Sequence, residues 1–304
     1  MNTPADPAAV GVVGVGNMGL AMLQRLRECG HAVLARDISA EAQRAAAAAG
    51  ASPMPNAASL ARDCTLAIIA VVDAAQCDDV LFGAGSVAEG LHASSTVMIC
   101  STIAPGDVER FAARLAERGV ACIDAPMSGG PARARDGTMS LMVACADAVF
   151  ARQEPVLRVL SSQLVRLGER VGDGARTKLV NNLLAAVNLA GAAEAIALAE
   201  RLGLDPARTL AVIERSSAQS WIGSDRMARA LAGDFAPRAH TTLLAKDTTL
   251  ALQMARGTGL EPPLGAAAQA LFVRACDGGL GALDDASLLT LMRRLFGNGD
   301  GGTP

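Results

Sequence analysis

The 304-residue chain has no tyrosine, one tryptophan and six phenylalanines, so its core has to be built from Ala, Leu, Val and Ile. Histidine is scarce too: His31, His92 and His240 are all there are, which excludes a His-rich metal site. The seven cysteines form no C-x-x-C pair and offer no spacing for a Cys-only zinc site. An odd number of thiols, mostly inside apolar segments, reads as reduced cysteine in a cytoplasmic protein, and no metal is expected. A formal net charge of −3 leaves no basic excess for a nucleic-acid footprint. Residues 1–6 lack the basic start of a secretory signal, and no uncharged apolar run reaches membrane-spanning length. Neither a nucleic-acid nor a membrane partner is expected.

Lysine is rarer still. Lys178 and Lys246 stand against 25 arginines. Arg stays protonated at any working pH, whereas a desolvated Lys can exchange a proton. Two surviving lysines therefore mark positions where Arg would not serve; a coding bias against lysine is the alternative reading.

What is present first is alternation. Residues 10–15, 32–35, 66–72, 96–100, 120–124 and 139–143 are short apolar runs, with helical stretches such as 18–29 and 40–49 among them. Continuous apolar runs suit a parallel sheet buried on both faces, and βα alternation predicts a doubly wound α/β domain. After about Gly172 the strands stop. Residues 177–202 read as one long helix, followed by helices near 206–216, 222–231, 241–256, 263–276 and 284–296. Residues 1–8 and 297–304 are expected to be disordered tails.

Gly14-Val15-Gly16-Asn17-Met18-Gly19 follows the first strand and opens a helix. The first glycine permits the turn and the second lets a pyrophosphate approach. The third lets helix and strand pack closely, with the helix N-terminus facing the phosphates. Asp37 comes 18 residues after Gly19, where a carboxylate would bond a ribose 2′-hydroxyl and repel a 2′-phosphate. NAD is therefore expected over NADP, although Arg36 could reach a phosphate and Asp37 could instead cap the next helix.

Asp124-Ala125-Pro126-Met127-Ser128-Gly129-Gly130 follows another strand. Its Ser-Gly-Gly turn offers backbone N–H groups beside a hydroxyl, suited to a substrate carboxylate or hydroxyl, or is simply a tight turn. Lys178 and Asn182 are four residues apart and share a helical face. An amine beside an amide can take a proton from an alcohol while the amide holds the oxygen. Asn181-Asn182 could equally cap or bridge helices.

Taken together, Gly14–Gly19, Asp124–Gly130 with Ala134 and Gly137, Gly172-x-Gly174-x-x-x-Lys178-x-x-x-Asn182, and Lys246-Asp247 resemble, in order, the motifs of the β-hydroxyacid dehydrogenases. This is the family of 3-hydroxyisobutyrate dehydrogenase and tartronate semialdehyde reductase. The resemblance implies an α/β fold class, with an N-terminal Rossmann domain (1–172) joined by a long interdomain helix to an all-α substrate and oligomerisation domain (173–304). It implies Lys178 as general acid/base and Asn182 as the group orienting the reacting oxygen. Ser128, Gly129 and Gly130 would hold substrate; Val71, Val72, Thr102 and Lys246 would line the cofactor, with Gly14, Gly16, Asn17, Met18, Gly19 and Asp37. Asp73-Ala74-Ala75-Gln76, Ser220-Trp221 and Asp234-Phe235-Ala236-Pro237-Arg238 resemble the L-threonate dehydrogenase branch, implying a four-carbon sugar acid oxidised at C2.

Arg133 stands where most members carry Gly, and His240 where the contact is often apolar or small. Both suit a polyhydroxy acid, unless Arg133 is a solvated loop residue and His240 only starts a helix. The family also implies a homodimer or homotetramer through the all-α domain. Imine reduction is disfavoured by the presence of Lys178, and phosphogluconate oxidation by the lack of a visible phosphate site. A non-catalytic dinucleotide-binding module is disfavoured by the intact Lys178 and Asn182.

Overall fold

A computed structural model describes residues 9–297; the expected tails, apart from Gly297, lie outside the described residues. Nine strands form one sheet: β1 (Val10–Val13), β2 (Val33–Arg36), β3 (Ser52–Pro53), β4 (Leu66–Ile69), β5 (Thr96–Ile99), β6 (Ala121–Asp124), β7 (Met127–Ser128), β8 (Ser140–Ala144) and β9 (Gln163–Gly168). The central β1, β4 and β5 are buried at every position, as their unbroken apolar sequences require. The strand order is β3-β2-β1-β4-β5-β6-β8-β7, with β9 beside β8. Strands β3 to β6 along that order pair in parallel, the arrangement of a dinucleotide-binding sheet.

Helices cover both faces: α1 (Asn17–Glu28), α2 (Ala40–Ala48), α3 (Ala57–Arg62), α4 (Ala74–Phe82), α5 (Val87–Gly90), α6 (Pro105–Ala116), α7 (Gly130–Asp136) and α8 (Asp147–Leu160). Met22, Leu23 and Leu26 of α1 pack with Leu157 and Leu160 of α8 on one face. Leu60, Leu81 and Phe111 fill the other.

The sheet is not parallel throughout. Strand β8 runs antiparallel to β6 and β7. The link from β6 to β8 contains only the two-residue β7 and the seven-residue α7, too little helix to carry the chain back along the sheet for a parallel crossover. Strands β3, β7 and β9 are also absent from the apolar pattern. Two are only two residues long, and β9 interrupts its Leu and Val with Gln163 and Arg166 and has no fully buried position.

The long helix α9 (Asp173–Arg201) begins within the sheet unit, which runs on past 172 to Lys178. Ala175 is part of that unit's core. Asp124, 1% exposed at the end of β6, accepts hydrogen bonds at Oδ2 from the N–H groups of Gly172 (2.8 Å) and Ala175 (3.1 Å).

The second unit starts at Leu179 and, among the described residues, contains no strand. The rest of α9 is followed by α10 (Pro206–Ile213), α11 (Trp221–Leu231), α12 (Thr241–Arg256), α13 (Pro263–Ala275) and α14 (Leu288–Leu295). Phe272, Met227 and Leu289 are central in its core. Buried charge is paired: Arg226 holds Asp285 at 2.5 Å and Arg229 holds Asp284 at 2.8 Å.

Burial pushes the Asp124 carboxyl from its ordinary 3.8 up to about 6, against the pull of its N–H donors. Between those values the folded chain keeps a proton that the unfolded chain has released. That stabilisation is complete in acid and is lost as pH rises through 6, a window worth on the order of 3 kcal/mol. Asp124→Asn should flatten this part of the melting-temperature profile relative to the wild type; parallel profiles from pH 4 to 7 would refute the assignment.

Candidate active site

The residues expected to bind cofactor and substrate converge because parallel strands all end at one edge. Gly14 follows β1, Asp37 follows β2, Val71 and Val72 follow β4, Thr102 follows β5, and Ser128 follows β6 by four residues. The order of the sheet reverses between β1 and β4, where the crevice of such a fold lies.

The glycine loop has distinct local reasons for each glycine. Gly14 has φ +90°, and a Cβ there would lie 2.6 Å from the carbonyl oxygen of Ala70. A Cβ at Gly19 would lie 1.9 Å from the Gly14 oxygen. Above Gly16 there is open space, with nothing within 4 Å of a Cβ position. Gly16 caps α1 without a side-chain hydrogen bond, and the first turn holds no acidic residue. An N-terminus of this kind, backed by room over Gly16, suits a diphosphate. Asn17 is exposed and Met18 half-buried on the first turn.

Asp37 is not the cap of α2. Ser39 takes that position, accepting from the Ala42 N–H at 3.3 Å. The Asp37 carboxylate instead accepts the N–H of Val15 in the loop at 2.6 Å and that of Ser39 at 2.8 Å. Carboxylate and loop are thereby held together, and neighbouring Ile38 is fully exposed.

At the Ser-Gly-Gly turn, Ser128 pairs with Ser140 of β8, and Gly129 and Gly130 have φ of +128° and +75°. Arg133, on α7, is not a remote loop residue: a Cβ at Gly129 would lie 3.0 Å from its Cδ, so its stem folds over the turn.

Lys178 is buried on α9. Asn182, one turn further and also buried, belongs to the second unit, where its Nδ2 donates to Asp247 Oδ2 at 2.6 Å. Asn181 Nδ2 donates to Asn182 Oδ1 at 3.1 Å. A carboxylate only accepts, so Asp247 fixes which end of the Asn182 amide faces which way. Asp247 Oδ1 also pairs with Lys246 Nζ at 2.7 Å. The structure thus joins Asn182 and Lys246 through Asp247, a residue to which sequence reasoning assigned no role. Its position beside a rare lysine was the available signal. His240 is not in that cluster. It is the N-cap residue of α12 but makes no side-chain capping hydrogen bond, and its Nδ1 bonds the carbonyl of Ala282 at 2.9 Å.

Residues 9–168 match the NAD binding domain of 6-phosphogluconate dehydrogenase, and residues 172–292 match the NAD-binding region of NADP-dependent 3-hydroxyisobutyrate dehydrogenase. L-threonate dehydrogenase of Cupriavidus necator is 36% identical over 93% of this chain and 95% of its own. The chain belongs to the β-hydroxyacid dehydrogenase family. Another member, 2-hydroxy-3-oxopropionate reductase of Escherichia coli, is 32% identical over 92% of this chain and 95% of its own. The crystal structure of a 3-hydroxyisobutyrate dehydrogenase from Salmonella typhimurium superposes with a TM-score of 0.88 at 33% identity, covering 93% of this chain and 99% of that one. As a member of the family, the chain is an NAD(P)-dependent hydroxyacid dehydrogenase.

The second and third glycines of the loop separate into different outcomes on substitution. Gly16→Ala should fold with an unchanged melting temperature and yet lose NADH affinity, read by fluorescence titration. Gly19→Ala should lower the melting temperature, because the Cβ meets backbone that cannot move aside. Equal melting losses for the two would count against this reading.

Proposed function

We propose that the protein oxidises a small hydroxy acid, a four-carbon sugar acid such as L-threonate at C2, with NAD as hydride acceptor. The observation that carries the proposal is Lys178, buried on α9 one turn before an Asn182 whose amide orientation is fixed by Asp247. When bound, the nicotinamide accepts the hydride from the carbinol carbon. The chain does the rest. Lys178, as neutral amine, takes the hydroxyl proton; in the reverse direction its ammonium returns it. The remaining N–H of Asn182 steadies the oxygen. Ser128, Gly129 and Gly130 hold the acid, with Arg133 and His240 serving its polar groups. Val71, Val72, Thr102 and Lys246 complete the cofactor site.

NAD is assigned over NADP because the Asp37 carboxylate, held against the loop, would face a 2′-phosphate with like charge. The division of labour follows the motifs: residues 1–172 hold the dinucleotide, and 173–304 form the substrate and oligomerisation domain. A cytoplasmic location accords with seven free thiols and a net charge of −3. Helix α9 has the length and mean hydropathy (1.5) of a membrane span, but Ala186, Leu189, Ala193 and Ile196 commit one side of it to the second unit's core.

The chemistry is tested by NADH formation at 340 nm with L-threonate, D-erythronate, D-glycerate and 3-hydroxyisobutyrate, with NADP as the contrast. Turnover of a four-carbon acid with NAD is expected. Preference for 3-hydroxyisobutyrate, or for reduction of 2-hydroxy-3-oxopropionate, would keep the mechanism and reject the substrate. Lys178→Ala should bind NADH normally and lose roughly 10²–10⁴-fold in kcat; near-normal turnover would remove Lys178 from its role, and silence of the wild type across the panel would reject these substrates and turn the search to the pocket around Arg133 and His240.

The same reading includes a homodimer or homotetramer through the all-α domain. Val180, Leu184 and Leu198 are 49–61% exposed along one side of α9, spaced to form a single stripe, and Leu202, just past the helix end, is 67% exposed. Sedimentation should show a multiple of 30.8 kDa that Leu184→Glu with Leu198→Glu reduces; a wild-type monomer would reject the assembly.

A further inference from the structure

Asp124 has no part in the chemistry assigned so far, yet it ties the strand that leads to Ser128 to the start of the helix that carries Lys178. Along the chain it stands four residues before Ser128, at the end of the strand that leads into the substrate turn. Through space its carboxylate receives two N–H groups at the start of α9, that of Gly172 just before the helix and that of Ala175 in its first turn. The glycines there are explained by this docking. Gly172 has φ +100°, and a Cβ at Gly174 would lie 2.7 Å from Asp124 Oδ1 and 2.8 Å from the carbonyl oxygen of Met142. No side chain fits between the helix start and the carboxylate.

The face of α9 that meets Asp124 is the face that carries the chemistry. Lys178 follows Gly174 by four residues and Ala175 by three, the spacings that stack side chains on one side of a helix. Asn182 continues the same line four residues on. A displacement of the first turn along the helix axis is therefore passed directly to Lys178. Flanking ion pairs, Arg176 with Glu109 at 2.5 Å and with Asp173 at 3.0 Å, brace the turn from its more exposed side. They are side-chain contacts at a half-exposed surface, whereas Asp124 grips the backbone in a buried site.

We propose that Asp124 is a positioning residue for the dehydrogenase reaction: by receiving the Gly172 and Ala175 N–H groups at the end of the strand that leads to Ser128, it sets the distance between the substrate turn and Lys178. This rests on the reading of Lys178 as the proton acceptor. What matters is the acceptor and its reach, rather than its charge. Asn keeps both, since its Oδ1 can receive the same N–H groups. Glu keeps the charge and lengthens the reach by one methylene. Ser leaves the acceptor too short.

The test compares Asp124→Asn, Asp124→Glu and Asp124→Ser for kcat, KM and NADH affinity, beside Lys178→Ala. Asp124→Asn should keep kcat within about fivefold, whereas Asp124→Glu and Asp124→Ser should lose roughly 100-fold in kcat with KM and NADH affinity nearly unchanged, the signature of a misplaced group. Wild-type kcat in the Glu and Ser variants overturns the proposal. So does a loss in Asp124→Asn as large as in Asp124→Glu, which would point to charge. If Asp124→Glu fails to bind NADH or to show a native circular dichroism spectrum, the Asn and Ser pair carries the comparison. A Lys178→Ala variant that still turns over defeats the reading of Lys178 itself; one that is dead beside a fully active Asp124→Ser defeats only this proposal.

Discussion

Asp124 gives up water to receive the backbone N–H groups at the start of α9, and that exchange fixes where the longest helix of the protein begins. A buried carboxylate without donors would be costly, and a helix start without acceptors would leave buried N–H groups unmet. Each answers the other's need. The arrangement leaves room for no side chain at Gly174 and demands the left-handed backbone of Gly172, so two glycines, a strand end and a helix are tied to a single contact. It also carries the first turn and a half of α9 into the sheet unit, which is why the unit closes at Lys178 rather than at the last strand.

The same economy runs through the glycine loop. What it offers is backbone N–H and open space, and side chains enter mainly to hold the loop in shape. Asp37 does so by accepting the Val15 N–H, a contact that also puts a carboxylate beside the glycine loop. In the second unit the logic is reversed. There Asn182, Asp247 and Lys246 are side chains held by side chains, and a buried carboxylate orders an amide and an ammonium at once. Such networks are well determined when every member is satisfied, because low surrounding polarity makes an unmatched group expensive.

The composition fits this division. A chain nearly without aromatics builds both cores from aliphatic residues, with Phe111 and Phe272 as the largest fully buried side chains. Arginine carries almost all of the structural cation work, including the buried pairs with Asp284 and Asp285. Lysine is left at the two motif positions, one buried on α9 and one paired with Asp247.

Apolar periodicity and the glycine punctuation were sufficient to locate β1, β2, β4, β5 and β6, the long helix and the all-α second half, since these elements are long or continuously buried and local sequence reports burial well. Helix α12 was legible at its full length, 241–256. The glycine loop, the Ser-Gly-Gly turn and the placement of both lysines on helices were legible because each is a local pattern. What local sequence left undetermined was anything resting on a distant partner. The antiparallel turn of β8 depends on how little helix joins it to β6, and β9 is an edge strand whose Leu and Val are broken by Gln163 and Arg166 and nowhere fully buried. Whether Asp37 capped a helix or faced the loop was settled by the N–H of Val15, 22 residues away. Asp124 meets α9 across 48 residues and Asp247 meets Asn182 across 65, and no window of sequence contains both ends of either bond. Local sequence determined which residue types were available; the tertiary fold decided which of them share a hydrogen bond, because those bonds form only after distant segments have been packed together.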